Sequence, residues 1–307
     1  MSDALVFVLA GAFATATPLF LAALGELICE RSGVFNLSVE GMMSIGAVVA
    51  FITVTHTGSH ALGMAAGMLA ATALSTVFAL LTLRLLANQV VSGLAVGLLG
   101  LGISAMVGMP YEGAVTTPIQ RLHVPILADV PIVGPILFSQ DAVVYMSVVL
   151  GASAAWFLRR TRAGLTLRVV GENPRSAHSL GLRPTRVRFL AVLFGGAMAG
   201  LAGAYASTVL TPLWSQGMIA GRGWIAVALV VFATWRPTRL MVGAYFFGAV
   251  SLLDLAVQAI GLGIPSQLMA CVPYVSTIAI LAIVSSDIAR IRLNAPMSLG
   301  ESYSPAA

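Results

Sequence analysis

The sequence predicts an all-α, polytopic integral membrane helical bundle of about 8–10 transmembrane helices. Three observations carry that prediction. The 307 residues are 59% hydrophobic and only 9% charged. The apolar residues stand in long uncharged blocks rather than in the mixed pattern of a soluble core. Several blocks reach the roughly 20 residues that a helix rising 1.5 Å per residue needs to cross a hydrocarbon core about 30 Å thick.

In chain order, block 5–24 is uncharged and long enough to span; Asp3 precedes it and no basic stretch does, so it does not read as a cleavable signal. Block 41–55 is equally clean but short, with Glu40 at its edge. Blocks 61–83, 88–109 and 189–210 are full-length spans, and 142–158 is a shorter one. Block 224–235 follows Arg222, 240–264 holds Asp254 near its middle, and 266–286 is the last. These nine make one transmembrane domain over residues 1–307, with an external loop at 110–140 and a cytoplasmic segment at 159–188.

Charge sets the orientation. All 16 basic residues are arginine, and Arg159, Arg160, Arg162, Arg168, Arg175, Arg183, Arg186 and Arg188 crowd into segment 159–188 against the single acid Glu172. The positive-inside bias places that segment in the cytoplasm. Counting outward from it puts Arg84, Arg236 and Arg239 inside as well, and Arg121 and Arg222 outside. The arginines are not interleaved with base-stacking aromatics, so the net charge of +5 reports topology and a lipid bilayer, not nucleic acid.

The absence of lysine excludes a G-x-x-x-x-G-K-[ST] phosphate loop and a lysine Schiff base. No G-x-S-x-G elbow, H-E-x-x-H pair or C-x-x-C is present. Cys29 and Cys271 form no disulfide or metal spacing, and the four histidines do not cluster with acids. Neither an enzyme nor a cofactor or metal site is expected; if ATP drives this protein, another chain hydrolyses it.

Within segment 159–188, Glu172 to Leu182 reads "ENPRSAHSLGL". Asn173 is suited to cap a helix, Pro174 to be its first residue and Gly181 to be the left-handed residue after its end. Ala177 and Leu180 are expected to share a small apolar face beside Arg175 and His178. A short, sharply stopped helix on a basic loop suits docking into a groove of a soluble partner; attraction of the arginines to anionic lipid is the plainer alternative.

Longer stretches carry a resemblance. "RVVGENPRSAHSLGL" resembles the cytoplasmic coupling segment of ABC importer permeases of the branched-chain amino acid, ribose and nucleoside group. "ERSGVFNLSVEGMM" resembles the early loop and helix start of its nucleoside and simple-sugar branch. "NQVVSGLAVGLLGLGISA", "PIVGPILFSQDAVVY" and "GRGWIAVALVVFATWRP" follow in the order that group has them. The resemblance implies the smaller permease of a pair in a bacterial inner membrane. It also implies a homologous second permease, a cytoplasmic ABC ATPase acting on Glu172 to Gly181, and an extracytoplasmic solute-binding lipoprotein. Gly97 stands where many relatives have a polar residue.

Candidate pathway residues are few. Asp254, a carboxylate inside a span, is a pathway or ion site, with Gln258 one turn on; the same residue would be the proton site of a secondary transporter, the competing reading, or a packing partner. Gln89 and Ser92 open the fourth span after Asn88, which reads as a helix cap. Arg222 is expected at the outer end of its span, near Trp214, Gln216 and Trp224. In "GELICERSGVFNLSVEGMM", Glu26, Glu30 and Arg31 are expected to be solvated at the inner face. Asn36 begins a turn, and Glu40 sits in the first turn of the next helix. The resemblance adds that Asn36 and Glu40 belong to a broken helix whose polar ends line the solute site. Gly63/Gly67, Gly93/Gly97 and Gly196/Gly200 have small-xxx-small spacing and read as packing.

Overall fold

The structure is a computed structural model that describes residues 2–120, 134–252 and 294–304, with a few isolated positions between them. Helix α1 (Ser2–Arg31) is followed by α2 (Val39–Thr57), α3 (His60–Ala79), α4 (Gln89–Gly108) and α5 (Ala142–Arg160). Two short helices, α6 (Arg162–Glu172) and α7 (Pro174–Ser179), precede α8 (Pro184–Tyr205), α9 (Arg222–Phe232) and α10 (Pro237–Ser251). Wider π-type turns extend α3 through Leu80–Arg84 and α8 through Ala206–Leu210.

Among the described residues, six helices are long and apolar enough to cross a membrane: Leu9–Arg31, Val39–Thr57, His60–Arg84, Gln89–Tyr111, Ala142–Arg160 and Pro184–Leu210. Helix α9 is apolar but shorter. Most of span 266–286 and of the second half of 240–264, with Asp254 and Gln258, lie outside the described residues, as do Arg121 and most of 123–133.

Helices α1, α2 and α8 form the centre. Helix α8 packs on α1, α2 and α3, while α1 also packs on α9 and α10 and α2 on α4. Most of the apolar stretch of each central helix is inside the bundle, whereas α3, α4 and α5 turn large side chains such as Leu69, Leu98 and Val149 outward, as lipid-facing helices do. The helices approach closely because glycines sit at the crossings. A Cβ added to Gly46 would lie 2.5 Å from the Gly200 Cα, one on Gly67 2.7 Å from the Gly46 carbonyl oxygen, and one on Gly200 2.5 Å from the Gly67 carbonyl oxygen. The glycines of α2, α3 and α8 thus meet backbone to backbone, the packing expected of small residues in lipid.

One terminal signal holds as read: the Asn88 side chain accepts the Val91 N–H at 3.1 Å and caps α4. Asp141, not singled out in the sequence, caps α5 through the Val143 and Val144 N–H groups, and its second oxygen accepts the buried Tyr205 hydroxyl of α8 at 2.7 Å.

Candidate functional site

The chain after α1 climbs back into the membrane before α2 begins. The Phe35 N–H donates to Gln89 Oε1 at 2.8 Å, Leu37 lies against Gly93, and Ser38 lies against Gly97. The segment therefore rises beside two turns of α4, and Gly41 meets the Gly97 backbone directly. From Gln89 to Gly97, at 1.5 Å per residue, the climb is about 12 Å. Helix α2 consequently starts beside α4, about two turns past the first residue of that helix. Asn36 makes that start possible: its Oδ1 accepts both the N–H and the hydroxyl of Ser38, and its own N–H donates to Glu26 Oε1 at 3.0 Å.

Glu40, in the first turn of α2, serves a second helix. Its Oε1 accepts the Gly221 N–H at 2.8 Å and its Oε2 the Trp224 N–H at 3.4 Å, so it satisfies donors at the N-terminus of α9. Gly223 is required there, since a Cβ on it would lie 2.5 Å from the Glu40 Cα. Helix α2 and the shorter α9 thus begin at one buried carboxylate, each with the positive end of its dipole toward it. Arg222 is the first residue of α9, between the Gly221 and Trp224 N–H groups that Glu40 accepts. Segment 211–221 had to descend from the end of α8 to reach it, and the uncharged block 224–235 gave no sign of that descent.

One turn along α2, the Ser44 hydroxyl donates to the Glu40 carbonyl at 2.9 Å, and Ser104 of α4 donates to the Ser44 carbonyl at 2.9 Å. Both serines line a cavity of about 130 Å³ together with Leu101, Trp214, Gln216 and Ile219. The segment after α4 bridges to the one that carries Trp214: Gly113 N–H donates to the Trp214 carbonyl, Trp214 N–H to the Ala114 carbonyl, and Thr116 N–H to the Pro212 carbonyl. The Glu112 carboxylate accepts the Gln216 N–H at 3.0 Å.

At the inner end the expectation of solvated charges fails. Glu26 and Glu30 are buried in α1, which continues to Arg31 instead of ending at the membrane edge. Glu30 accepts the Trp235 indole N–H, and Arg31 donates to the Trp235 carbonyl at 2.8 Å and 3.1 Å and to the Asn294 carbonyl at 3.1 Å. Glu26 Oε2 and Glu30 Oε1 have no hydrogen-bond partner among the described residues. Glu30 is covered by a residue 205 positions away, which no local pattern announces.

Of the other predicted pathway residues, Gln89 is buried with both ends of its amide committed, to the Phe35 N–H and to the Glu301 carbonyl at 3.3 Å. Ser92 is buried one turn further along α4. The structure brings Asn36, Glu40 and Arg222 to one junction and leaves Gln89 and Ser92 at the inner edge of it.

Helix α7 follows its sequence signals closely. Asn173 Oδ1 accepts the Ser176 N–H at 2.9 Å, Pro174 opens α7, and Gly181 has φ +81°. The Leu182 N–H returns to the Ala177 carbonyl at 3.1 Å, closing the helix. The shared apolar face is not formed: Ala177 is fully buried, whereas Leu180, already in the capping turn, is 76% exposed. Ala177 seats the helix on the bundle and Leu180 projects away from it. Glu172, Asn173, Arg175 and His178 are exposed around it.

Sequence reading missed Ser44, Ser104 and Arg188. Ser44 stands one turn from Glu40, a signal that was available; Ser104 and Arg188 needed the packing. Arg188 is 1% exposed, and its three nitrogens donate to the Ser32 carbonyl, the Glu301 carbonyl and the Ser298 hydroxyl at 2.9–3.1 Å.

Residues 8–283 match the family model described as branched-chain amino acid transport system / permease component. The chain is 40% identical to a putative glucose ABC transporter permease protein of Haloferax volcanii, over 94% of each. It is 36% identical to the guanosine ABC transporter permease protein of Bacillus subtilis, over 87% of this chain and 88% of that one. To the nucleoside ABC transporter permease protein of Lactococcus lactis it is 32% identical, over 92% and 93%. No solved structure matches it significantly. With its apolar helices and Glu40 junction, the chain belongs to this permease family: it is a multi-pass transporter component of the bacterial inner membrane and not an enzyme.

Proposed function

We propose that this chain lines half of the membrane pathway of an ATP-driven importer for nucleosides or related sugar-containing solutes, and that solute passes the Glu40 junction. The observation that carries the pathway is the meeting of the α2 and α9 N-termini at Glu40, below a cavity lined by Ser44, Ser104 and Gln216. Half-helix ends pointing at mid-membrane are where membrane transporters bind polar solutes. Hydroxyl and amide groups match sugar hydroxyls and base edges, and Trp214 offers an apolar wall. The guanosine, nucleoside and glucose permeases among the relatives support the same solute class.

A homologous second permease completes the pathway, a solute-binding lipoprotein delivers at the face of loop 110–140, and a separate ATPase engages α7 around Asn173 to Gly181. Motion at α7 then repacks the bundle between outward- and inward-open states. Family membership favours this over the competing proton-coupled carrier at Asp254.

The test is uptake of labelled guanosine or glucose into proteoliposomes. Uptake is expected only with both permeases, the ATPase, the binding protein and ATP together. Uptake by the lone chain driven by a proton gradient overturns the reading in favour of the carrier.

A further inference from the structure

The segment 294–304 lies across the α7 end of the bundle as a strap. The Ser298 N–H and hydroxyl both donate to the Gly171 carbonyl, at 3.1 and 2.6 Å, at the end of α6. The Gly300 N–H donates to the Gly33 carbonyl at 3.3 Å, in the turn that leads into the Glu40 junction. The buried Arg188 guanidinium of α8 holds the Ser298 hydroxyl and the Glu301 carbonyl, and Gln89 of α4 holds the same Glu301 carbonyl. The strap is thus tied at once to α4, α6, α8 and the turn between α1 and α2.

It is also one wall of a groove whose other wall is the start of α7. Glu172, Asn173 and Arg175 face Met297, Glu301 and Tyr303 across about 560 Å³. The Met297 N–H reaches Glu172 Oε2 at 3.4 Å, and the Tyr303 ring stands 6.5 Å from that of His178. Tyr303 is buried, yet Met297 is 80% exposed, an apolar side chain presented at the mouth of a groove that carries acids and a base. That mixture of an apolar projection with both signs of charge fits a folded protein surface better than a lipid headgroup layer, which would select for cations alone.

We propose that the strap and α7 together form the surface on which the ATPase subunit seats, so that the ATPase grips the groove from both walls. This rests on the reading of α7 as the ATPase contact. It adds that Met297 and the groove behind it carry part of the affinity. The strap's ties to Gly33 and Gln89 then connect the docking surface to the chain segment that supports Glu40.

The experiment measures binding of the purified ATPase to the full permease complex in nanodiscs, for Met297→Asp, Ser302→Trp and, separately, Leu180→Asp. Met297 and Ser302 are both exposed, so folding is checked by an unchanged melting temperature. Each strap variant is expected to weaken ATPase binding about tenfold, as is Leu180→Asp. Wild-type affinity in both strap variants alongside a loss in Leu180→Asp overturns the role of the strap and leaves the α7 reading standing. Wild-type affinity in all three overturns both.

Discussion

The junction at Glu40 and the helix α7 both sit in the proposed path from ATP to solute, but they are built in opposite ways. Everything that defines α7 lies within ten residues of it: the Asn173 cap, the Pro174 start, the Gly181 turn. The junction is assembled from α1, α2, α4 and α9, with Glu40 bonding to residues more than 180 positions away. A locally defined element keeps its shape when its surroundings move, which suits a part that is pushed. A junction held by long-range bonds changes when any of its elements moves, which suits a part that must open.

This contrast is broken most severely at Gly223. Gly223→Leu places a side chain into the Glu40 backbone, and with no flexible atom to give way the expected cost is above about 3 kcal/mol. The protein should fail to give a folded fraction by size exclusion; a normal melting profile would mean the junction is looser than described. Next comes Glu40→Ala, which leaves the Gly221 and Trp224 N–H groups without their acceptor at about 1–3 kcal/mol each. Uptake should fall by at least about tenfold while the ATPase still binds; Glu40→Gln, keeping one acceptor, should fall between. Equal loss of ATPase binding would erase the distinction between the two regions.

Leu180→Asp tests the other side. Melting temperature is expected to stay at the wild-type value, because Leu180 is exposed, while uptake drops about tenfold through lost ATPase engagement. A lowered melting temperature would show that the rim is not independent of the bundle. The smallest effect is expected from Asn173→Ala, which removes the cap at about 1 kcal/mol and should weaken ATPase binding a few-fold, with Asn173→Asp restoring it.

The same contrast explains what could be read from the sequence. The spans were legible because a bilayer demands length and apolarity, and α7 because caps and left-handed glycines are local chemistry. The turn at Asn36 and the first-turn position of Glu40 were legible locally, but their distant partners were not. Glu30 looked like a solvated charge because nothing nearby reports that Trp235 covers it. That Arg222 stands beside Glu40 was not legible because the apolar block after it carries no sign of a partner about 180 residues earlier. Arg188 passed as one arginine among eight in a basic segment; its backbone and hydroxyl acceptors carry no charge and so leave no trace in a charge pattern.

The glycine contact among α2, α3 and α8 has a mechanical consequence. Where leucines interlock, sliding one helix over another means lifting side chains out of their sockets, and the bundle moves in jumps. At Gly46, Gly67 and Gly200 the nearest neighbours are backbone and the methyl groups of Ala50, Ala71 and Ala204, so no long side chain has to be lifted for the helices to shift. Substituting alanine at any of the three would set a methyl group against that contact and force the helices apart.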